Sequence, residues 1–128
     1  MIDVESLHHV SISVTDLGRA RQFYGDVLGL KEIPRPPFDF AGAWYQLGDR
    51  QLHLIAHPGA HTLRGTTAIE SREGHYAIRV RSYRETLEHL QARGITYRDK
   101  PRNLTPWPQI YVTDPDGNVI ELNAERLD

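Results

Sequence analysis

One strand pattern occurs twice along the chain, and this repeat limits the folds that the chain can adopt. It covers residues 7–14 and residues 74–80, where apolar and polar side chains alternate as they do in a strand with one buried face. Each copy has a histidine near its start, His9 in the first and His75 in the second, and each runs directly into a helical pattern. The sequence therefore predicts two modules built on the same plan.

The two helical patterns have apolar residues three and four positions apart, which is typical of a helix buried on one side. These residues are Ala20, Phe23, Tyr24, Val27 and Leu28 in the first module, and Tyr83, Leu87 and Leu90 in the second. Extended segments, proline-containing loops and turn sequences follow each helix. The predicted order is β-α-β-β-β, twice, and repeats of this kind are expected to pair in order to bury their sheets.

The residue pattern indicates where the two modules begin and end, and the composition excludes several classes of protein. Module one is predicted at about residues 5–56 and module two at about 74–124, joined by a linker at 57–73 within a single domain of 128 residues. A net charge of −2 without a basic stripe argues against nucleic-acid binding, and no apolar run is long enough for a membrane span. Without cysteines or a signal sequence at the N-terminus, the chain is expected to be cytoplasmic and to lack thiolate metal sites.

Polar residues in the last strand of each module complete a candidate metal site. His53 and Glu121 follow His9 and His75 at nearly equal intervals, each on the polar side of an alternating strand where side chains can converge inside a curved sheet. Imidazole and carboxylate are donors that divalent first-row metals use, and an ion would offset the cost of burying Glu121. We therefore expect one divalent ion (Zn, Ni, Mn or Fe) at these four residues, with positions left open for water or substrate. His8 is expected to point to the opposite face and not to bind.

A further set of residues is predicted to contact a small-molecule substrate. It consists of Arg79, Trp44, Tyr45, Trp107, Gln109 and Tyr111. Arg79 shares a strand face with the second-module histidine and could anchor a carboxylate or phosphate, or pair with an acidic neighbour. The aromatic residues could line the pocket or belong to the core, and Tyr45 and Tyr111 are expected at equivalent places in the two modules. Arg35 and Arg64, in loops, could close over a charged substrate or remain solvated.

Three parts of the sequence resemble the vicinal oxygen chelate superfamily, which contains glyoxalases, bleomycin resistance proteins and extradiol dioxygenases. They are LHHVSISVTDL with FYGDVLGL, the strand HYAIRV, and YVTDPDGNVIEL. The resemblance covers about residues 7–124. It implies an α+β fold of two paired βαβββ modules that form an open, cup-shaped mixed sheet with helices outside. It also implies metal ligation by His9, His53, His75 and Glu121, and a homodimer in which subunits can exchange modules.

The resemblance further implies an enzyme whose metal chelates two adjacent oxygens of a small substrate and stabilises charge on them. Glyoxalase-like lyase or isomerase chemistry is the first candidate, with Glu121 as the base that takes a proton next to a carbonyl. His53 departs from the Glu or Gln usual in glyoxalase I. An Fe(II) extradiol-type dioxygenase, using His9, His75 and Glu121, ranks second. A fosfomycin-type resistance enzyme ranks third, and a non-catalytic small-molecule binding protein is the remaining alternative.

Overall fold

Two compact units make up the chain, Met1–His61 and Thr62–Asp128. The structure is a computed structural model that describes all residues from 1 to 128. Each unit contains one β-α-β-β-β module with a four-stranded open sheet of mixed direction, so the predicted α+β fold class is confirmed. Neither helix has the length and apolar character that crossing a bilayer requires.

The first unit has its strands in the order β1-β4-β3-β2. Its elements are β1 at His9–Val14, α1 at Leu17–Arg21 with a π-helical continuation at Gln22–Val27, β2 at Lys31–Ile33, β3 at Gly42–Leu47 and β4 at Arg50–Ala56. The first and last strands run parallel, and the other neighbours are antiparallel. The sheet therefore places the two ends of the module side by side, which brings the predicted ligand strands together.

The helix of the first unit begins as an α-helix but does not remain one. Asp16 caps it by accepting a hydrogen bond from the backbone N–H of Arg19 at 2.9 Å. Near its end the backbone N–H of Leu28 donates to the carbonyl of Phe23, five residues earlier, at 2.9 Å. This longer hydrogen-bond step widens the last turn into a π-helix, which the apolar spacing alone does not distinguish from an α-helix. Gly29 follows with a φ of 71°, as expected after a helix.

The second unit repeats the arrangement with the order β5-β8-β7-β6. Its elements are β5 at His75–Arg79, α2 at Tyr83–Ala92, β6 at Arg98–Lys100, β7 at Gln109–Thr113 and β8 at Val119–Asn123. Ser82 caps α2 by accepting from the backbone N–H of Glu85 at 3.0 Å. Strand β6 starts only at Arg98, because the N–H of Ile95 still bonds to the carbonyl of Leu90 at the helix end.

Strand register corrects one expected equivalence between the modules. Trp44 lies opposite His53 in the first sheet, and Tyr111 lies opposite Glu121 in the second. Trp44 is therefore the counterpart of Tyr111, and the expectation that Tyr45 would be is wrong by one residue. Since neighbouring strand residues face opposite ways, Tyr45 points away from His53. It is 1% exposed and packs towards the helix.

Candidate metal centre

The second unit brings two of the predicted ligands together. His75 begins β5 and Glu121 lies in the middle of the parallel neighbour β8, with His75 Nε2 3.5 Å from Glu121 Oε1. The other ring nitrogen of His75, Nδ1, lies 2.8 Å from the backbone carbonyl of Glu73. Because a carbonyl only accepts, Nδ1 donates a proton to it, and Nε2 is the ring nitrogen that faces Glu121. The hydrogen bond at Nδ1 fixes the ring in the orientation that a metal ligand at Nε2 needs.

Glu121 is held by three hydrogen bonds from neighbouring side chains. Tyr111 donates its hydroxyl to Oε1 at 2.9 Å, Gln109 donates its amide to Oε1 at 3.0 Å, and Asn123 donates to Oε2 at 2.6 Å. Burial by itself raises the pKa of Glu121, but these hydrogen bonds outweigh it and the pKa lies below its ordinary value. The carboxylate is therefore ionised and fixed in orientation. Burial and the hydrogen bond to this carboxylate in turn raise the pKa of Tyr111 to about 12.

The first unit brings the other two predicted ligands together, but as stacked rings. The imidazoles of His9 and His53 have centroids 4.1 Å apart and an interplanar angle of 22°. Trp44 stacks on the other face of His53 at 4.0 Å and 4°. His53 Nε2 lies 2.8 Å from Gln51 Oε1, so the amide oxygen accepts its proton. Burial, followed by the charges of His9 and nearby basic groups, lowers the pKa of His53.

The two pairs differ in how well they fit a metal ion. Two ligands with bonds of about 2.1 Å and a tetrahedral angle have donor atoms roughly 3.4 Å apart, and the second-unit pair has this spacing. The rings of His9 and His53 lie in nearly parallel planes, so their in-plane lone pairs do not converge on one ion, and Gln51 occupies one nitrogen of His53. The structure contains no group of three or more potential ligands arranged around one point. A common site for all four residues stays a prediction.

His8 is not directed away from His9, in contrast to the expectation from alternation. The Nδ1 atoms of the two rings lie 2.8 Å apart, so one donates to the other. Strand β1 begins only at His9, and the alternation rule does not extend to the residue before a strand. His8 therefore contacts His9, a predicted metal ligand, and occupies Nδ1 of the His9 ring.

Most of the predicted substrate-binding residues of the second unit have partners within that unit. Arg79 donates from Nε to Asn123 Oδ1 at 2.6 Å, and Gln109 and Tyr111 both contact the carboxylate of Glu121. They serve as supports of the candidate ligand. Trp107 is half-buried in the loop before β7, and its indole N–H has no hydrogen-bond partner.

The loop between β2 and β3 and the neighbouring strands line a cavity of about 430 Å³ in the first unit. The loop contributes Arg35, Phe38 and Phe40, and the strands contribute Trp44 and His53 among others. A cavity of this size suits a small organic molecule. Of the predicted substrate-binding residues, Trp44 lies in this wall, whereas Tyr45 lies in the core. Arg64, the other loop arginine, donates to the carbonyl of Gly117 at 2.7 Å in the second unit.

Several residues that build these surroundings were absent from the predicted site. Asn123 and Gln51 each stand two positions from a predicted ligand on the same strand, and the two-residue period of a strand could have identified them. Phe38 and Phe40 carried a weaker signal, a pair of aromatic residues in a proline-containing loop. Their contact with Arg35 depends on the path of that loop, which sequence patterns do not specify.

Comparison with known proteins agrees with this fold. A sequence profile of the Glyoxalase/Bleomycin resistance protein/Dioxygenase superfamily matches residues 6–122. Fosfomycin resistance protein FosX from Listeria monocytogenes is 24% identical over 128 residues, 98% of this chain and 93% of that protein. Lactoylglutathione lyase from Haemophilus influenzae is 31% identical over 123 residues, 89% of this chain and 88% of that one. A glyoxalase family protein from Bacillus anthracis has a crystal structure with a TM-score of 0.80 at 25% identity, covering 97% of this chain and 98% of that chain.

These relatives include a lyase and an antibiotic resistance protein, so the similarity extends over more than one reaction. The profile match covers both modules, from before β1 into β8. The predicted resemblance is confirmed: the chain belongs to the glyoxalase/bleomycin resistance protein/dioxygenase superfamily.

Proposed function

We propose that the protein is a metal-dependent enzyme that converts a small substrate by glyoxalase-like lyase or isomerase chemistry. The observation that carries this proposal is the distance of 3.5 Å between His75 Nε2 and Glu121 Oε1. An imidazole and a carboxylate that bind the same metal ion have this spacing. Superfamily membership and the similarity to a lactoylglutathione lyase support the reaction class. His9 and His53 are the proposed remaining ligands, and a homodimer is the proposed assembly.

The residues around the pair prepare it to hold a metal ion. The carbonyl of Glu73 keeps the proton of His75 on Nδ1, and Tyr111, Gln109 and Asn123 keep Glu121 ionised and immobile. A divalent ion at this site would act as a Lewis acid towards adjacent substrate oxygens. In the lyase or isomerase reaction Glu121 is the proposed base, which accepts a proton from the carbon next to a carbonyl.

Nucleophilic opening of an epoxide, as in fosfomycin-type resistance, is the second candidate. Both oxygens of Glu121 already accept hydrogen bonds, which disfavours its service as a mobile base. When a thiolate attacks an epoxide carbon, the carbon–oxygen bond breaks and its electron pair moves to the oxygen, so no protein carboxylate must take a proton. The fixed carboxylate and the similarity to the metallothiol transferase FosB from Staphylococcus epidermidis, at 23% identity, favour this alternative.

Metal analysis of protein purified without chelators or an affinity tag tests the shared part of both candidates. We expect about one divalent ion per chain, and its loss in His75→Ala and Glu121→Gln. His61→Ala removes an exposed histidine outside the site and serves as the matched control. Unchanged metal content in both site variants would show that the pair is not a metal ligand set.

Activity assays on the metal-loaded protein then separate the reactions. Isomerisation of a hemithioacetal supports the lyase or isomerase, whereas consumption of fosfomycin in the presence of a thiol supports epoxide opening. Oxygen uptake with catechols after anaerobic loading with Fe(II) would instead identify a dioxygenase. Each activity should disappear in Glu121→Gln, since that variant lacks a charged ligand.

A further inference from the structure

The loop between β2 and β3 exposes aromatic side chains at the cavity of the first unit. Phe38 and Phe40 are 45% and 42% exposed, and their rings stack with centroids 5.1 Å apart and an angle of 10°. Both residues line the cavity. Paired exposed aromatic rings at a cavity are typical of a surface that binds an apolar group.

These rings continue into a row that ends at the predicted ligand histidines. The distance between ring centroids is 6.2 Å from Phe38 to Trp44 and 4.0 Å from Trp44 to His53. It is 4.1 Å from His53 to His9. Because His53 is stacked between His9 and Trp44, the faces on which another ring can pack are those of Trp44 on the side away from His53 and of Phe38, which is tilted by 50° against Trp44. A planar ring packs on such faces at low entropic cost and with favourable quadrupole interactions.

Arg35 places an uncompensated positive charge in the same cavity. Its guanidinium carbon lies 5.1 Å above the centroid of Phe38 and 5.2 Å from that of Phe40. One amino group donates to the carbonyl of Phe40 at 2.9 Å, while Nε has no hydrogen-bond partner. Arg35 takes part in none of the ion pairs of the structure, and the cavity lining contains no Asp or Glu. An anion is the partner that this guanidinium lacks.

The backbone of β3 is shaped to let Arg35 lie against it. A Cβ atom at Gly42 would be 2.4 Å from the carbonyl oxygen of Leu54 and 3.1 Å from Nη2 of Arg35. Any side chain at Gly42 would therefore disturb the sheet and displace the guanidinium. The position of Arg35 thus depends on the strand as well as on its own loop.

We propose that this cavity binds a planar aromatic carboxylate, with its ring against Trp44 and Phe38 and its carboxylate at Arg35. The inference rests on the proposed function, because it assigns the substrate class of the enzyme whose predicted ligands His9 and His53 end the aromatic row.

Calorimetric titration of the purified protein with four probes tests the proposed class. Benzoate carries both the ring and the charge, benzamide carries the ring alone, cyclohexanecarboxylate carries the charge on a non-planar ring, and acetate carries the charge alone. We expect benzoate to bind about tenfold more tightly than each of the other three. Equal affinity for benzoate and cyclohexanecarboxylate, or no benzoate binding, would overturn the inference.

Variants identify the groups that recognise the probe. Arg35→Gln should weaken benzoate binding about tenfold and leave benzamide binding unchanged, whereas Arg102→Gln, in an exposed loop of the second unit, should change neither. Unaltered benzoate affinity in Arg35→Gln would contradict the assignment. NMR of the unmodified protein needs no variant, so a destabilised loop cannot affect its result. Benzoate should shift the indole N–H resonance of Trp44 and not that of Trp107.

Metal content measured on the same samples separates this inference from the proposed function. Protein that binds metal but no benzoate retains the proposed function and overturns the substrate class. Protein that binds benzoate through Arg35 but never binds metal retains the cavity assignment, and the proposed metal-dependent activity fails.

Discussion

At the scale of single residues, the candidate site depends on Asn123 as much as on the ligand it supports. Asn123 accepts from Arg79 and donates to Glu121, which links a guanidinium to the buried carboxylate through one amide. Arg79 was predicted to anchor a substrate or to pair with an acidic neighbour, and its partner in the structure is the neutral amide of Asn123. The amide of Asn123 orients Oε2 of Glu121, and it separates the charge of Arg79 from the carboxylate.

Replacement of Asn123 tests this support. Asn123→Ala removes a hydrogen bond to a proposed metal ligand, and loss of such outer contacts typically lowers metal affinity about 10- to 100-fold. Competition titration against a chromophoric chelator measures the affinity. Asn103→Ala is the matched control and should retain full affinity, because the exposed side chain of Asn103 bonds to Lys100 and Thr105 and not to a proposed ligand. Equal affinities in the two variants would show that Asn123 does not position Glu121.

At the scale of secondary-structure elements, the turn between β7 and β8 is tied to the segment that precedes β5. Gly117 in this turn has a φ of 84°, and a Cβ atom there would lie 1.7 Å from the carbonyl oxygen of Thr66. Arg64 donates to the carbonyl of Gly117, and Thr113 donates to the carbonyl of Thr67. The backbone of the segment therefore passes where a side chain of residue 117 would stand.

Glycine variants of the two hairpin turns should differ in stability for this reason. Gly117→Ala combines left-handed strain with a backbone collision, and we expect a loss of about 3–5 kcal/mol in the free energy of unfolding. Gly48→Ala, in the β3–β4 turn with a φ of 58° and open space around it, should lose only about 1–2 kcal/mol. Urea denaturation of both variants measures the difference, and equal losses would contradict the predicted collision.

The contact between α2 and β6 gives a prediction that depends on pH. The hydroxyl of Tyr83 donates to Asp99 Oδ2 at 2.8 Å, and burial followed by this hydrogen bond raises the pKa of Tyr83 above its ordinary 10.0. The unfolded chain therefore loses the tyrosine proton at lower pH than the folded protein. The stabilisation from this raised pKa is complete below about pH 10 and decreases as the pH rises towards the folded-state value.

Tyr83→Phe isolates this effect. At about pH 7 the variant should be about 1 kcal/mol less stable than the unmodified protein, because it lacks one buried hydrogen bond. The difference should shrink at about pH 11, where the hydroxyl no longer favours the folded state to the same extent. Urea denaturation at the two pH values measures it. A constant difference would mean that the ionisation of Tyr83 is not coupled to folding.

At the scale of the whole molecule, each unit contributes one pair of predicted ligands. His75 and Glu121 have ligand spacing in the second unit, and His9 and His53 stack in the first. If one ion uses both pairs, as the sequence predicts, substitution in either unit must remove it. His9→Ala should then lose the metal as completely as His75→Ala. Full metal content in His9→Ala, measured by elemental analysis, would show that the second unit binds the ion without the first.

The sequence by itself determined the two modules, their order of strands and helices and the four candidate ligands, and its motifs resembled those of the superfamily. These features depend on local periodicity and on residue types at repeated positions, which are present in the chain before it folds. Two predictions failed where local periods end: the π-helical turn before Leu28, and the direction of His8 ahead of β1.

Only the tertiary structure decided which residues surround those ligands. The register of β7 against β8 places Tyr111 and Gln109 at Glu121, and the register of β3 against β4 places Trp44, and not Tyr45, on His53. The path of the proline-containing loop brings Arg35 over two aromatic rings. Such contacts depend on strand register and loop path, which local periodicity does not specify. A shift of one residue in register exchanges the faces of a strand, so only the folded chain determines them.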